Sequence, residues 1–270
     1  MKKMLLVFLL SVTTGLTVFS FLQNNSVSIN REFLFSTGNE PGPDRRPDEW
    51  AYIKKTYPYY KADADVYIKA IEQAKKLKEE TLTKRINKGL SAVQWEFSGP
   101  TNIGGRVVDL EFDPINPSII YAGFSTGGIF KSYDGGNTWI PIFDDQAVLT
   151  IGDIAIDPVN SNIIYVGTGE ANGGHNNFPG GGVFKSTDAG STWNFLGLEG
   201  TTSIGRIIIN PQNTNVLYLA SVGSYFAPNP ERGIYQSTDA GLTWNHSLFV
   251  SDTTGFVDLI IDPNNPDRLM

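Results

Sequence analysis

Four acidic residues are the first places to look for chemistry: Asp109, Asp153 and Asp258, each four positions ahead of an Asp/Asn-Pro turn, and Glu170 in a glycine-rich segment. Two carboxyl groups about 5 to 9.5 Å apart, one protonated and one ionised, are enough to hydrolyse a glycosidic bond. These four are therefore the candidate catalytic residues. Arg206 occupies the same position of the same series ahead of the turn at Asn210. Charged side chains that recur inside apolar strands need a reason. Two are open: a mutually satisfied ring around a solvated channel, or a ligand-binding or catalytic layer.

A second acidic series sits in a fixed frame, Ser-x-Asp-x-Gly-x-Thr-Trp. It appears as Ser132, Asp134, Gly136, Thr138 and Trp139, as Ser186, Asp188, Gly190, Thr192 and Trp193, and as Ser237, Asp239, Gly241, Thr243 and Trp244. These residue types describe a turn. The Asp accepts turn amides, the Gly takes positive φ, and the hydroxyls tie two strands together. The Trp opens the next strand and is expected to pack between adjacent units.

The elements that must position both series repeat along the chain. Turns at Asp157-Pro, Asn210-Pro and Asp262-Pro follow the motif serines by 25, 24 and 25 residues, a like turn at Asp113-Pro precedes the first serine, and the serines recur with a period of 51 to 54. Constant spacing implies one structural unit used repeatedly. Within a unit, a first strand (107–112, 151–156, 204–209, 256–261) ends at the Asp/Asn-Pro turn. A second begins Ile-Ile-Tyr at Ile119 and Ile163, a third runs into the motif Ser, and a fourth begins at the motif Thr-Trp. Four short antiparallel strands per unit describe the blade of a β-propeller. The fold class is all-β, with three blades and part of a fourth present. Because a closed propeller needs about 4 to 8 blades, the chain is expected to be the front of a longer protein.

Strand order assigns the two ends. Third-to-fourth and first-to-second turns share one end, and second-to-third and fourth-to-first loops share the other. The motif aspartates Asp134, Asp188 and Asp239 thus lie away from the variable second-to-third loops and are read as structural. Those loops differ greatly in length: 125–128, 170–179 and 225–232. They carry Glu170, His175, Asn176, Asn177, Tyr225, Glu231 and Arg232, the composition of a binding surface on a rigid scaffold. Of these, Glu170, His175, Asn176 and Arg232, with Arg106, Asp109, Asp153, Arg206 and Asp258, make up the candidate ligand-binding set.

Ahead of the repeats the chain changes character. Residues 1–20 place Lys2 and Lys3 before an apolar run and small residues before a cleavage position, as in an export signal. An uncleaved anchor is the lesser reading, and no other membrane span is expected. Residues 21–47 read as a flexible Pro-rich leader. Residues 48–88 read as an α-helical extension of two helices broken near Tyr57-Pro58, with Tyr67, Ala70, Ile71, Ala74 and Leu77 on one face. The repeats occupy 91–270. Residues 45–90 hold 12 Lys+Arg against 7 Asp+Glu, whereas residues 91–270 hold 6 against 18. So acidic a domain repels phosphate backbones and argues against nucleic acid as a partner. There is no cysteine, and two histidines make no typical zinc set, although Glu170 with His175 leaves a remote metal possibility. No metal or cofactor is expected.

The repeated motif resembles the Asp box, or bacterial neuraminidase repeat, of sialidases, sortilin-type receptors and xyloglucanase-type glycoside hydrolases. Residues 107–132 resemble the xyloglucanase-type enzymes, in which a catalytic Asp precedes the Gly-Gly where Ser125 or Thr126 stands here. Residues 47–270 are similar to exported bacterial proteins with a sortilin-like Asp-box propeller, through Trp95 to Arg106 and Gly167 to Asn172. This resemblance implies passage through export machinery, with type IX secretion among the routes. The expected function is a glycan- or protein-binding module at the cell surface or outside the cell. The alternatives are a glycoside hydrolase using the paired carboxylates and a sortilin-like peptide receptor.

Overall fold

The computed structural model describes residues 64–87, 104–174, 177–225 and 227–270. The segments read as export signal and leader, residues 48–63 of the helical extension, and His175 and Asn176 lie outside them. Among the described residues no helix is long and apolar enough to cross a membrane.

Three four-stranded antiparallel sheets follow one another in sequence order, and a two-stranded hairpin closes the series. The first is β1 (Val107–Phe112), β2 (Ile120–Phe124), β3 (Gly128–Ser132) and β4 (Ile140–Pro141). The second is β5 (Ile151–Ile156), β6 (Ile164–Thr168), β7 (Val183–Ser186) and β8 (Asn194–Phe195). The third is β9 (Ile204–Ile209), β10 (Leu217–Ser221), β11 (Gly233–Ser237) and β12 (Asn245–Leu248). The hairpin is β13 (Ile261–Asp262) and β14 (Asn265–Leu269). Each sheet is a meander in which every strand pairs with its chain neighbours, so the chain forms a partial β-propeller.

Two expected boundaries move. The fourth strands begin at Ile140, Asn194 and Asn245, after the Trp, because each Trp still belongs to the turn. Of the last first strand, expected over 256–261, only Ile261 is paired as a strand. Ile260 reaches Met270 through a reciprocal pair of backbone hydrogen bonds, 2.7 and 2.9 Å.

Apolar layers between sheets hold the blades together. Ile129 and Tyr121 of the first blade meet Ile151, Ile154, Ile164 and Phe184 of the second. Tyr165 and Val183 of the second meet Ile204, Ile207, Leu217 and Leu219 of the third. Each fully buried aliphatic side chain contributes about 1.5 to 3 kcal/mol. On β1 the counterparts are bare: Leu110 is 48% exposed where Ile154 is 2% and Ile207 3% exposed, because no described residue packs on that face.

The ends are arranged as strand order requires. Gly135, Ala189 and Ala240 of the motif turns donate backbone N–H to Ser118, Asn162 and Asn215 of the first-to-second turns. At the other end Gly128 donates to Leu149, Gly169 to Thr150, and Val222 to Ser203.

A helix, α1 (Ala64–Asn87), belongs to the same compact unit as the blades. Of its expected apolar face Ile71 is half-buried, whereas Ala70 and Ala74 are exposed and Leu77 is 62% exposed. The face turned to the second blade carries Ile71, Lys75 and Lys78. Ile71 sits over Gly181, Lys75 Nζ lies 4.6 Å from the centroid of the Phe195 ring, and Lys78 Nζ donates to the Asp145 carbonyl at 2.7 Å. Lysine stems cover apolar surface while their ammonium groups reach polar partners, and simple apolar periodicity misses this.

Candidate functional site

The motif turns are closed units. Asp134 accepts Ser132 Oγ at 2.8 Å, Thr138 N–H at 2.8 Å and Thr138 Oγ1 at 2.6 Å. Asp188 and Asp239 repeat this pattern with Ser186 and Thr192 and with Ser237 and Thr243. The Thr hydroxyls and amides hold all three carboxyls down at about 2. Gly136, Gly190 and Gly241 have φ near +90°, and each donates its N–H to the motif Ser. Trp193 and Trp244 donate Nε1 to Ile142 and Leu196 of the preceding blade. Trp139 departs from the expected packing between units: it turns back to its own Gly136 carbonyl, with no described blade ahead of it.

The first strands, innermost in a propeller, carry Asp109, Asp153 and Arg206, each on a β-bulge, and with Asp258 these make an axial layer. The register of each first strand shifts at Val108, Gly152 and Gly205, one residue ahead of Asp109, Asp153 and Arg206. A bulge re-aims the following side chain. Two bulges need glycine for closeness: a Cβ on Gly152 would lie 2.1 Å from the Ile204 oxygen, and one on Gly205 2.0 Å from the Val257 oxygen. Neighbouring first strands therefore touch, and the aspartates reach across. Asp109 Oδ2 accepts Ile154 N–H at 2.7 Å, and Asp153 Oδ2 accepts Ile207 N–H at 2.7 Å.

Arg206 sits between two carboxylates. Its Nη1 is 3.0 Å from Asp153 Oδ1 and its Nε 2.8 Å from Asp258 Oδ1. Burial, and then the nearby Asp109, pushes the Asp153 carboxyl up to about 8, while Arg206 holds Asp258 below the usual carboxylate range. Asp109 is raised by burial. Glu111, absent from the sequence-derived set, joins this layer. It lies two residues beyond Asp109 on the same face of β1, and burial with the Asp109 charge pushes it up to about 7. The period of two along the strand was the signal for it.

Glu111, Asp153, Arg206 and Asp258 line an open cleft of about 540 Å³ floored by isoleucines of the first strands. The cleft runs towards Pro158 and Pro211 of the Asp/Asn-Pro turns and away from the variable loops.

The variable loops are largely occupied with holding themselves. Arg232, expected to face a ligand, is 9% exposed. Its Nη1 donates to the Val222 carbonyl at 2.6 Å, and its Nη2 to the Ser224 and Ala227 carbonyls. The loop folds around its guanidinium. Tyr225 donates to Ala171, Asn177 donates to Glu170 and Asn172, and Glu231 accepts the Tyr235 hydroxyl. Glu170 is 1% exposed and accepts Arg106 Nη2 at 2.6 Å, which leaves half of the Arg106 side chain in solvent. Ser125, where the xyloglucanase resemblance expects Asp, is buried and Thr126 is exposed. Among the described residues no group of three or more His, Cys, Asp or Glu could hold a metal ion.

No family model matches the chain. Over 156 residues it is 28% identical to the xyloglucanase Xgh74A of Acetivibrio thermocellus, which covers 53% of this chain and 18% of that protein. Among solved structures, an ancestral GH74 enzyme superposes with a TM-score of 0.52 at 21% identity, over 66% of this chain and 23% of that one. The GH74 enzyme of Niastella koreensis gives a TM-score of 0.44 at 24% identity, over 59% and 24% of the two chains. The match covers less than a quarter of each of these three proteins, and what the chain shares with the ancestral enzyme is the propeller fold.

Proposed function

We propose that this chain is an exported saccharide-binding propeller that holds a glycan in its axial cleft. The observation behind this reading is the Asp153–Arg206–Asp258 arrangement, set on an isoleucine floor in a cleft of about 540 Å³. Saccharide sites combine apolar surface for C–H faces with a few fixed polar groups for hydroxyls. Binding is preferred over hydrolysis because the aspartates are already engaged: Asp109 with two backbone amides, Asp153 with Ile207 and Arg206, and Asp258 with Arg206 and Leu259. Arg106 and Glu170 form a second polar pair at the loop end. Export rests on the reading of residues 1–20.

One observation favours hydrolysis. Glu111 and Asp258 line the same cleft, and burial pushes Glu111 up to about 7 while Arg206 holds Asp258 low, the divergence that an acid and a base of a glycosidase would need.

A xyloglucan oligosaccharide is the first ligand to test, since the relative in sequence is a xyloglucanase. Calorimetric titration should give binding that weakens in Asp258→Asn, with no reducing sugar released. Release that disappears in Glu111→Gln would replace the binding reading with the hydrolase one.

A further inference from the structure

A second cavity, of about 400 Å³, lies between α1 and the second blade. Its wall is aromatic. Phe184 and Phe195 lie 5.4 Å apart by ring centroid, and Trp193 stands edge-on to Phe143 at 5.1 Å. Trp193 is fixed through its Nε1 on the Ile142 carbonyl, whereas Phe195 remains 40% exposed. The rim is charged and balanced: Lys75 and Lys78 of α1 stand against Glu79 and Asp145, and Gln146 adds an amide. Lys78 closes one side on Asp145, 2.7 Å from the carbonyl and 3.4 Å from the carboxylate.

We propose that this cavity is a separate saccharide subsite that takes a neutral pyranose ring stacked on Phe195, with its hydroxyls on the charged rim. The proposal rests on the saccharide-binding reading above, but none of its residues lines the axial cleft. Three features select the ligand. The face of an aromatic ring is negative and attracts positively polarised groups. The Lys75 ammonium now covers that ring, 4.6 Å from the Phe195 centroid, and the C–H face of a pyranose, of the same polarity, takes its place as the flexible Lys75 chain turns to the sugar hydroxyls. The rim has no net charge, so neither an anionic nor a cationic ligand gains from it overall. A wholly apolar ligand would strip water from four charged groups without replacing their hydrogen bonds. A neutral polyol both donates and accepts, and so can meet ammonium, carboxylate and amide at once. The volume also falls within the range of about 300 to 1,000 Å³ usual for small-ligand sites.

The test is calorimetric titration of the chain with cellohexaose, and with trigalacturonate as a charged counterpart. Phe195→Ala should weaken cellohexaose binding about five- to tenfold, the size of one aromatic contact. Phe195→Trp should restore it, and Gln146→Ala should weaken it in the same direction, with thermal midpoints recorded for every variant. Asp258→Asn in the axial cleft should leave the Phe195-dependent component intact. Cellohexaose binding that is lost in Asp258→Asn but unchanged in Phe195→Ala would overturn the subsite and keep the axial reading. A preference for trigalacturonate over cellohexaose would overturn the neutral ring. No binding of either oligosaccharide at millimolar concentration would overturn the subsite, whereas the axial cleft stands or falls with the xyloglucan titration above.

Discussion

Asp153 on β5 accepts the backbone N–H of Ile207 on β9 at 2.7 Å, so one carboxylate of the second blade serves as a hydrogen-bond partner inside the third. The same group pairs with Arg206 at 3.0 Å. A residue that looks like a free acid in the sequence is thus also a tie between blades.

Removing that tie leaves one buried partner, the Ile207 amide, and one partly exposed partner, Arg206, unmet. Asp153→Ala should destabilise the fold by about 3 kcal/mol, because the Ile207 amide and one side of Arg206 lose their acceptor together. Asp153→Asn keeps an acceptor for the amide and should cost clearly less. Urea unfolding of both variants checks this; equal losses would mean that the amide contributes nothing.

The axial carboxyls also set a pH dependence of unusual sign. Asp153 and Glu111 are raised from 3.8 and 4.5 to about 8 and 7, so the folded state binds more protons than the unfolded state across that window. Their contribution is fully present below about pH 4 and is lost as pH rises through about 7 to 8. The motif aspartates act in the opposite direction, but only as pH falls from 3.8 towards about 2. The urea midpoint should therefore be higher near pH 5 than near pH 8.5, and Glu111→Gln should flatten the difference. A slope unchanged by Glu111→Gln would remove that residue from the account.

The motif aspartate is expected to matter for folding and not for ligand. Asp188→Ala deprives Ser186 and Thr192 of their common acceptor and should lower the melting midpoint. Ligand affinity of the folded fraction should not change. Lost affinity at an unchanged midpoint would make the turn a binding element.

Close approach at the bulges sets a steric limit. Gly205→Ala forces a methyl group to about 2 Å from the Val257 carbonyl and should destabilise by roughly 1 to 3 kcal/mol or more. It should also weaken the Arg206–Asp258 pair, because the strands must separate. Gly135→Ala, where a Cβ would meet no atom within 4 Å, should cost only the strain of its positive φ. Thermal melts of the two variants provide the comparison.

Much of this architecture was legible in the sequence because it is encoded locally. The motif residues close their own turns within five positions, from Ser132 to Gly136 and from Asp134 to Thr138. The strand spans follow from apolar runs between fixed turns, and strand order alone placed motif turns and variable loops at opposite ends. What the tertiary structure decided lies further apart. Arg206 meets partners 53 and 52 residues away, Asp153 and Asp258, and only blade-on-blade packing, brought close by Gly152 and Gly205, joins them. Glu111 entered the cleft through strand alternation beside Asp109, and Arg232 turned inward because three loop carbonyls needed a donor. On α1, lysines rather than the expected Leu77 face the blade, since Phe195 and Asp145 offer partners that no helical periodicity records. Local residue types fixed the turns and strands; which charges pair, and which cavities remain, depended on groups that come together only when the blades stack.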